Sequence, residues 1–260
     1  MDVKIIVATH KKYQMPEDKM YIPLHVGKAG KKAIGYMGDD ASDNISTDNP
    51  RFCELTGVYW AWKNISADYI GLTHYRRHFT EKNIIQRLGK NKFDCIITEQ
   101  SVKELLKQYD LILPTKRKYY IESMYSHYVH LPYTYEKDVK VLRQVISEMQ
   151  PEYVQAFDVV MHRRSAHMFN MFVMRKEIFD KYCEWLFPIL FEVDRRIDIS
   201  NYSSMETRVI GFLGEFMIDV WNEKQKILYK EIPVMFMEKQ NWIAKGGKFI
   251  YRKMQGLKRS

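Results

Sequence analysis

Short apolar runs alternate with amphipathic stretches along most of this chain. Val3 to Ala8 is a β-branched run ending in Thr9-His10-Lys11-Lys12, the pattern of a buried strand that delivers a polar loop at its carboxyl end. A polar, glycine-containing stretch follows from Gly27 to Asn44 and includes Asp39, Asp40 and Asp43; it reads as a long active-site-type loop. Asp48 or Asn49, with Pro50 next, predicts the start of a helix whose stripe is Phe52, Leu55, Val58, Tyr59 and Trp62. Asp68 to Thr73 predicts a second strand that runs directly into His74-Tyr75-Arg76-Arg77-His78. Phe93 to Thr98 predicts another, and Ser101-x-x-Glu104 predicts a capping box for the helix ending near Tyr109.

Asp110 to Pro114 predicts a strand closed by proline and followed by the basic, aromatic turn Thr115-Lys116-Arg117-Lys118-Tyr119-Tyr120. Helical patterns then run from about Glu122 to Met161, interrupted at Pro132 and Pro151. Phe169 to Met174 predicts a further strand, and about Lys176 to Ile197 an amphipathic helix. Gly211-Phe-Leu-Gly214 predicts a glycine-rich opening to a helix that begins at Glu215, and Ile232 to Met237 an edge strand. This alternation predicts an α/β fold with a mostly parallel central sheet flanked by helices. The expected organisation is one domain over residues 1–240, with a helical segment about 120–165 and a basic C-terminal tail over 241–260.

With 260 residues and 46% hydrophobic content, the chain has the composition of a folded protein rather than a disordered one. The opening Met-Asp-Val-Lys carries no secretory pattern, and the apolar runs Met168–Met174 and Trp185–Phe191 are far shorter than the roughly 20 residues of a bilayer span. Cys53, Cys95 and Cys183 are widely separated and odd in number, which predicts no disulfide framework and a reducing, cytoplasmic setting. Lysine plus arginine exceeds aspartate plus glutamate by 41 − 32, a net charge of +9 that suits nucleic acid, anionic membranes or phosphorylated ligands.

Ligands of such sheets bind beyond the carboxyl ends of the strands, so the polar residues there are the candidates. His74, Tyr75, Arg76, Arg77 and His78 concentrate two guanidinium groups and two imidazoles at one strand end, a combination suited to a diphosphate. The same residues also suit a solvated turn paired with Asp39, Asp40 and Asp43. Two arginines between His74 and His78 oppose a metal there. Lys116 and its basic neighbours suit phosphates, a stacked base, a nucleic-acid patch or a plain surface loop. His127 suits a sugar contact or simple packing, and Glu215 a general base or a helix-start acid.

Together, Glu54 to Asn64, Asp68 to His78, Asn170 to Met174 and Gly211 to Glu215 resemble a family of bacterial glycosyltransferases of capsule, exopolysaccharide and O-antigen assembly, long known only as a domain of unknown function. Gly71-Leu-Thr-His-Tyr-Arg-Arg77 is the most specific mark of the resemblance, which extends over nearly the whole chain. It implies a GT-A-like fold, a nucleotide-sugar donor and a lipid-linked glycan acceptor, and some relatives are similar to galactofuranosyltransferases that use UDP-galactofuranose. Most GT-A enzymes end a central strand in a metal-holding Asp-x-Asp, where this chain has His74-Tyr75-Arg76. The resemblance thus implies that Arg76, Arg77 and His74 take over the metal's charge, with no cofactor expected. A divalent Mn or Mg ion at Asp39 and Asp40 is the rival arrangement.

By the same resemblance Thr9 and His10 meet uridine and ribose, Asn170 lies beside the donor and acceptor sugars, and Glu215 is the base of an inverting transfer, with Asp158 next in line. From Lys245 onward the tail carries six cations and no acid, interleaved with Phe249, Ile250, Tyr251, Met254 and Leu257. It suits either an anionic membrane face or a solvated terminus. The expected protein is a cytoplasmic, peripherally membrane-associated hexosyltransferase. A basic nucleic-acid module is the alternative.

Overall fold

The computed structural model describes residues 1–238. The basic tail lies outside the described residues.

β1 (Val3–Thr9) forms where the β-branched run predicts it, followed by β2 (Tyr21–His25) and the two-residue β3 (Met37–Gly38). The expected long helix is interrupted: α1 (Asn49–Phe52) ends at Cys53, whose φ of 53° breaks the helical path before α2 (Leu55–Asn64). β4 (Tyr69–His74) then turns at Tyr75 and Arg76 into the antiparallel β5 (Arg77–Phe79). A one-turn helix, α3 (Ile84–Arg87), stands on the following loop.

Phe93 to Thr98 is not a strand. Phe93–Cys95 forms a 3₁₀ turn, and although Cys95, Ile96 and Ile97 are buried, the described backbone ties this segment to the sheet only through the Ile97 amide, which donates to the Phe79 carbonyl. Its apolar character serves packing rather than pairing. The capping box is also displaced: α4 (Glu99–Leu105) is capped by Thr98, which accepts from the Ser101 amide, and Glu104 pairs with Lys107.

β6 (Leu111–Pro114) leads through the Lys116 turn to β7 (Arg117–Lys118). The helical segment comprises α5 (Met124–Val129), α6 (Glu136–Met149) and α7 (Val154–His162), followed by β8 (Ser165–Ala166). β9 (Phe172–Arg175) begins three residues later than expected because Phe169 and Asn170 take φ of 78° and 53°, outside strand geometry. The long α8 (Lys176–Arg196), α9 (Val209–Gly214), α10 (Met217–Gln225), β10 (Tyr229–Ile232) and β11 (Val234–Phe236) complete the described chain.

The central order is β10-β6-β9-β4-β1-β2-β3, with β5 and β11 added beside β4. β4, β1, β2 and β3 run parallel, as do β10 and β6, while β9 is antiparallel between β4 and β6. Side chains of β1 alternate between two cores: Ile6 and Ala8 pack with α2 and α6 to α10, whereas Val3, Ile5 and Val7 pack with Ile97, Val102 and Leu106. Both faces are therefore covered, as the unbroken apolar runs require. Gly71 allows β9 its close approach, since a Cβ there would lie 2.8 Å from the Phe172 carbonyl oxygen.

Candidate active site

The carboxyl ends of β1, β2 and β4 open on one side of the sheet, and α9 brings an acid to them. Gly211 and Gly214 lie inside α9 rather than in a turn that opens a helix, and Glu215 follows its last residue. A Cβ on Gly211 would lie 2.7 Å from Cys53 Sγ, and one on Gly214 2.7 Å from Leu55 Cδ1. The Gly-x-x-Gly spacing thus lets α9 seat on the α1–α2 junction, and that seating sets Glu215 beside Glu54.

Glu54 is the residue to which the sequence assigned no role. Its Oε1 accepts from Asn170 Nδ2 at 2.8 Å. A lone acid ahead of an apolar helix has no distinguishing signature, and only the two glycines hint that another helix comes close. Across from it, the His74 Nε2–H donates to the Phe169 carbonyl at 2.6 Å, which helps hold Phe169 at its left-handed φ. The Phe169 ring in turn supports the Arg77 guanidinium, whose Cζ is 4.4 Å from the ring centroid.

Electrostatically this cluster is unbalanced. Burial, and then the neighbouring Glu54 carboxylate, push the Glu215 carboxyl up to about 7, against the opposing pull of Arg77, Arg117 and Arg208. None of these three arginines forms an ion pair with a carboxylate among the described residues. Arg77 Nε is buried without a hydrogen-bond partner, Arg117 lies over Tyr119, and the Arg208 side chain donates to Cys53 Sγ and Met205 Sδ. Burial pulls the His74 imidazole below its ordinary range, further than the Glu54 charge raises it. Guanidinium groups left without carboxylates around a half-buried acid form a setting prepared for an anionic ligand.

The other expected residues fall at graded distances from this centre. Arg76 turns outward and pairs with Glu238 at 3.3 Å, and its guanidinium packs on the buried Tyr75. Tyr75 is thus a platform, meeting the His10 ring edge-on as well. Partial burial and the charges of Arg76, Lys11, Lys31 and Arg208 lower His10, which places it at the rim of the same basic region. Thr9 is buried, and its hydroxyl closes the following loop by donating to the Lys11 carbonyl. His127 packs on Tyr119 at 4.2 Å between ring centroids, and its Nδ1 meets the buried Glu122, which also holds His130. The Tyr119 and Tyr128 hydroxyls are both buried without partners, and each feels the Glu215 charge.

Three expectations are displaced. Lys116 is engaged elsewhere: its Nζ donates to Tyr229 Oη at 2.9 Å and pairs with Glu231 at 3.5 Å. Asp158 lies on α7, bidentate to Arg143. Asp39 is a structural anchor, accepting from the Gly27 and Lys28 amides and from the Ser46 and Thr56 hydroxyls. Asp40 pairs with Lys28, and Asp43 accepts from Tyr59 Oη. With Asp39 enclosed by donors, this loop does not offer the open oxygen set that Mg or Mn requires. Among the described residues no group of three or more His, Cys, Asp or Glu side chains has the arrangement of a metal site, and no helix is long and apolar enough to cross a membrane.

The solved apo structure of the WbbM bifunctional glycosyltransferase superposes on this chain with a TM-score of 0.85 at 33% identity. The match covers 92% of this chain and 46% of that one, so the chain spans about half the length of that protein. No curated protein matches. A family model described as a domain of unknown function, DUF4422, matches residues 4–226, and the chain belongs to that family.

Proposed function

We propose that this protein is a glycosyltransferase that moves a hexosyl group from a UDP-sugar, such as UDP-galactofuranose, to a lipid-linked glycan acceptor during surface polysaccharide synthesis. The observation that carries this is the set of three arginines, Arg77, Arg117 and Arg208, left without carboxylate partners near the Glu215 carboxyl at the carboxyl ends of the parallel strands, where burial and Glu54 also raise that carboxyl. Similarity to a bifunctional glycosyltransferase structure supports the same class of chemistry.

In this mechanism the Glu215 carboxylate takes the proton of an acceptor hydroxyl as that oxygen bonds to the anomeric carbon. The bond from the anomeric carbon to the diphosphate breaks in the same displacement, and its electron pair leaves with UDP. Arg77, with Arg76 and Arg208, stabilises the charge that develops on the diphosphate. Glu54 keeps Glu215 basic by like-charge proximity and orients Asn170 toward the sugars. His10, braced on the buried Tyr75, meets the nucleoside, and His127 with Tyr119 lines the acceptor side.

The test is a thermal shift with UDP and UDP-hexoses, paired with UDP release in the presence of acceptor, each with and without EDTA. The expected outcome is ligand-dependent stabilisation and turnover that EDTA leaves within about twofold, since positioned guanidinium groups supply the charge. Turnover abolished by EDTA and restored by Mn would overturn the metal-free mechanism. Absence of any UDP effect would overturn the donor assignment.

A further inference from the structure

The loop between β5 and α4 presents apolar side chains that the fold does not use. Ile84, Ile85 and Leu88 are 74%, 77% and 71% exposed, and all three lie on or beside the one-turn helix α3. They are not on a frayed segment. Asn83 and Gln86 close a reciprocal capping box, and Arg87 Nε donates to the Asn83 carbonyl. At the base of the loop, Thr80 donates to the Cys95 carbonyl and the Lys82 ammonium to that of Asp94. A hydrogen-bonded turn thus holds three aliphatic side chains in water, which is unfavourable unless another phase covers them.

Charge identifies that phase. Residues 82–93 contain Lys82, Arg87, Lys90 and Lys92 and no acid. The Lys92 ammonium donates to the Phe236 and Met237 carbonyls, so this loop is fastened to the last described strand, from which the chain continues toward its basic tail. An aliphatic tip that carries Arg87 and Lys90, with the acids Glu81 and Asp94 kept to the base of the loop, matches the layering of an anionic bilayer, with hydrocarbon beneath acidic headgroups. A protein partner covering the same tip would need an acidic rim of its own.

We propose that residues 82–92 form a membrane-docking knuckle that inserts Ile84, Ile85 and Leu88 into an anionic lipid surface while Arg87 and Lys90 engage the headgroups and Lys82 and Lys92 brace the base of the loop. The lipid-linked acceptor proposed above gives this docking its purpose, but the docking stands on the exposed side chains and the cations among them. The site at Glu215 contributes nothing to it, so the two are separable.

Vesicle co-sedimentation of the full chain tests it, with phosphatidylglycerol–phosphatidylcholine vesicles against phosphatidylcholine alone. Wild type is expected to sediment with the anionic vesicles and to be released by salt. An Ile84→Ser, Ile85→Ser, Leu88→Ser variant should lose about tenfold or more in partitioning while its thermal shift with UDP stays as in wild type. In an Ile85→Trp variant, indole emission should shift to the blue on vesicle addition. Unchanged partitioning of the triple variant, or no emission shift, overturns the proposal. A wild-type dimer that becomes monomeric in the triple variant, with vesicle binding retained, would assign the surface to a second copy of the chain instead. Loss of the UDP response in wild type, with vesicle binding intact, would overturn the donor assignment and leave the docking surface standing.

Discussion

Two clusters in this protein combine a histidine, two carboxylates and cations, and they are built on opposite principles. Around His167 every polar group has a partner: its amide and Nδ1 meet the two oxygens of Asp219 at 2.8 and 2.5 Å, and its Nε2 meets Glu231 at 3.3 Å. Glu231 also pairs with Lys116. Around Glu215 charges are crowded and unmatched, with Glu54 close by and three arginines that hold no carboxylate. This partnered network ties the segments after β6 and β8 to β10 and α10. An unmatched one costs stability, and the cost is consistent with binding an anion and moving a proton.

The sharpest way to break this contrast is to remove the acid. Glu215→Gln is expected to lower turnover about 10²-fold or more while UDP affinity stays within a few-fold, as measured by steady-state kinetics and calorimetry. Near wild-type turnover would move the base away from Glu215.

Next, one member of each cluster is exchanged. Arg77→Met should cost about 10- to 100-fold in kcat/KM, the worth of a charge-assisted contact to the diphosphate, with little loss of thermal stability. His167→Gln should do the reverse, destabilising the fold by about 3 kcal/mol because Asp219 and Glu231 lose their shared partner, while kcat/KM falls only slightly. If His167→Gln removed activity from a protein that still melted normally, the matched network would be catalytic and the contrast void.

The smallest effect is on pH dependence. Because a base must be ionised, kcat should rise as pH passes through about 7, the value set by burial and then by Glu54. Glu54→Gln should move that limb to lower pH, and Asp219→Asn should not. The linked stability has a definite sign: a carboxyl raised in the folded state stabilises most below its ordinary range, and the benefit is lost as pH rises through about 7. Glu54→Gln should therefore melt higher than wild type at pH 8, by a few degrees at most, and no higher at pH 5.

Much of the fold was legible because period and run length are local properties. Val3–Thr9, Tyr69–His74 and Lys176–Arg196 form where their apolar patterns place them. Phe93–Thr98 misled because a buried apolar run looks the same whether or not a neighbouring strand is present to pair with it. The candidate site was half legible. His74, Arg77, Asn170 and Glu215 do converge, but Lys116 does not, since the Glu231 and Tyr229 that engage it arrive from a strand more than a hundred residues away. Glu54 stayed silent for the same reason.

By itself the sequence determined an α/β sheet buried on both faces, basic residues delivered to strand ends, and an acid after Gly-x-x-Gly. Those properties follow from side-chain period and chain order. Only the tertiary structure decided which charges are matched and which are left over, because matching depends on α9 seating against Cys53 and Leu55 and on β10 reaching Lys116. That difference between matched and unmatched charge separates the cluster that holds the fold from the one proposed to do chemistry.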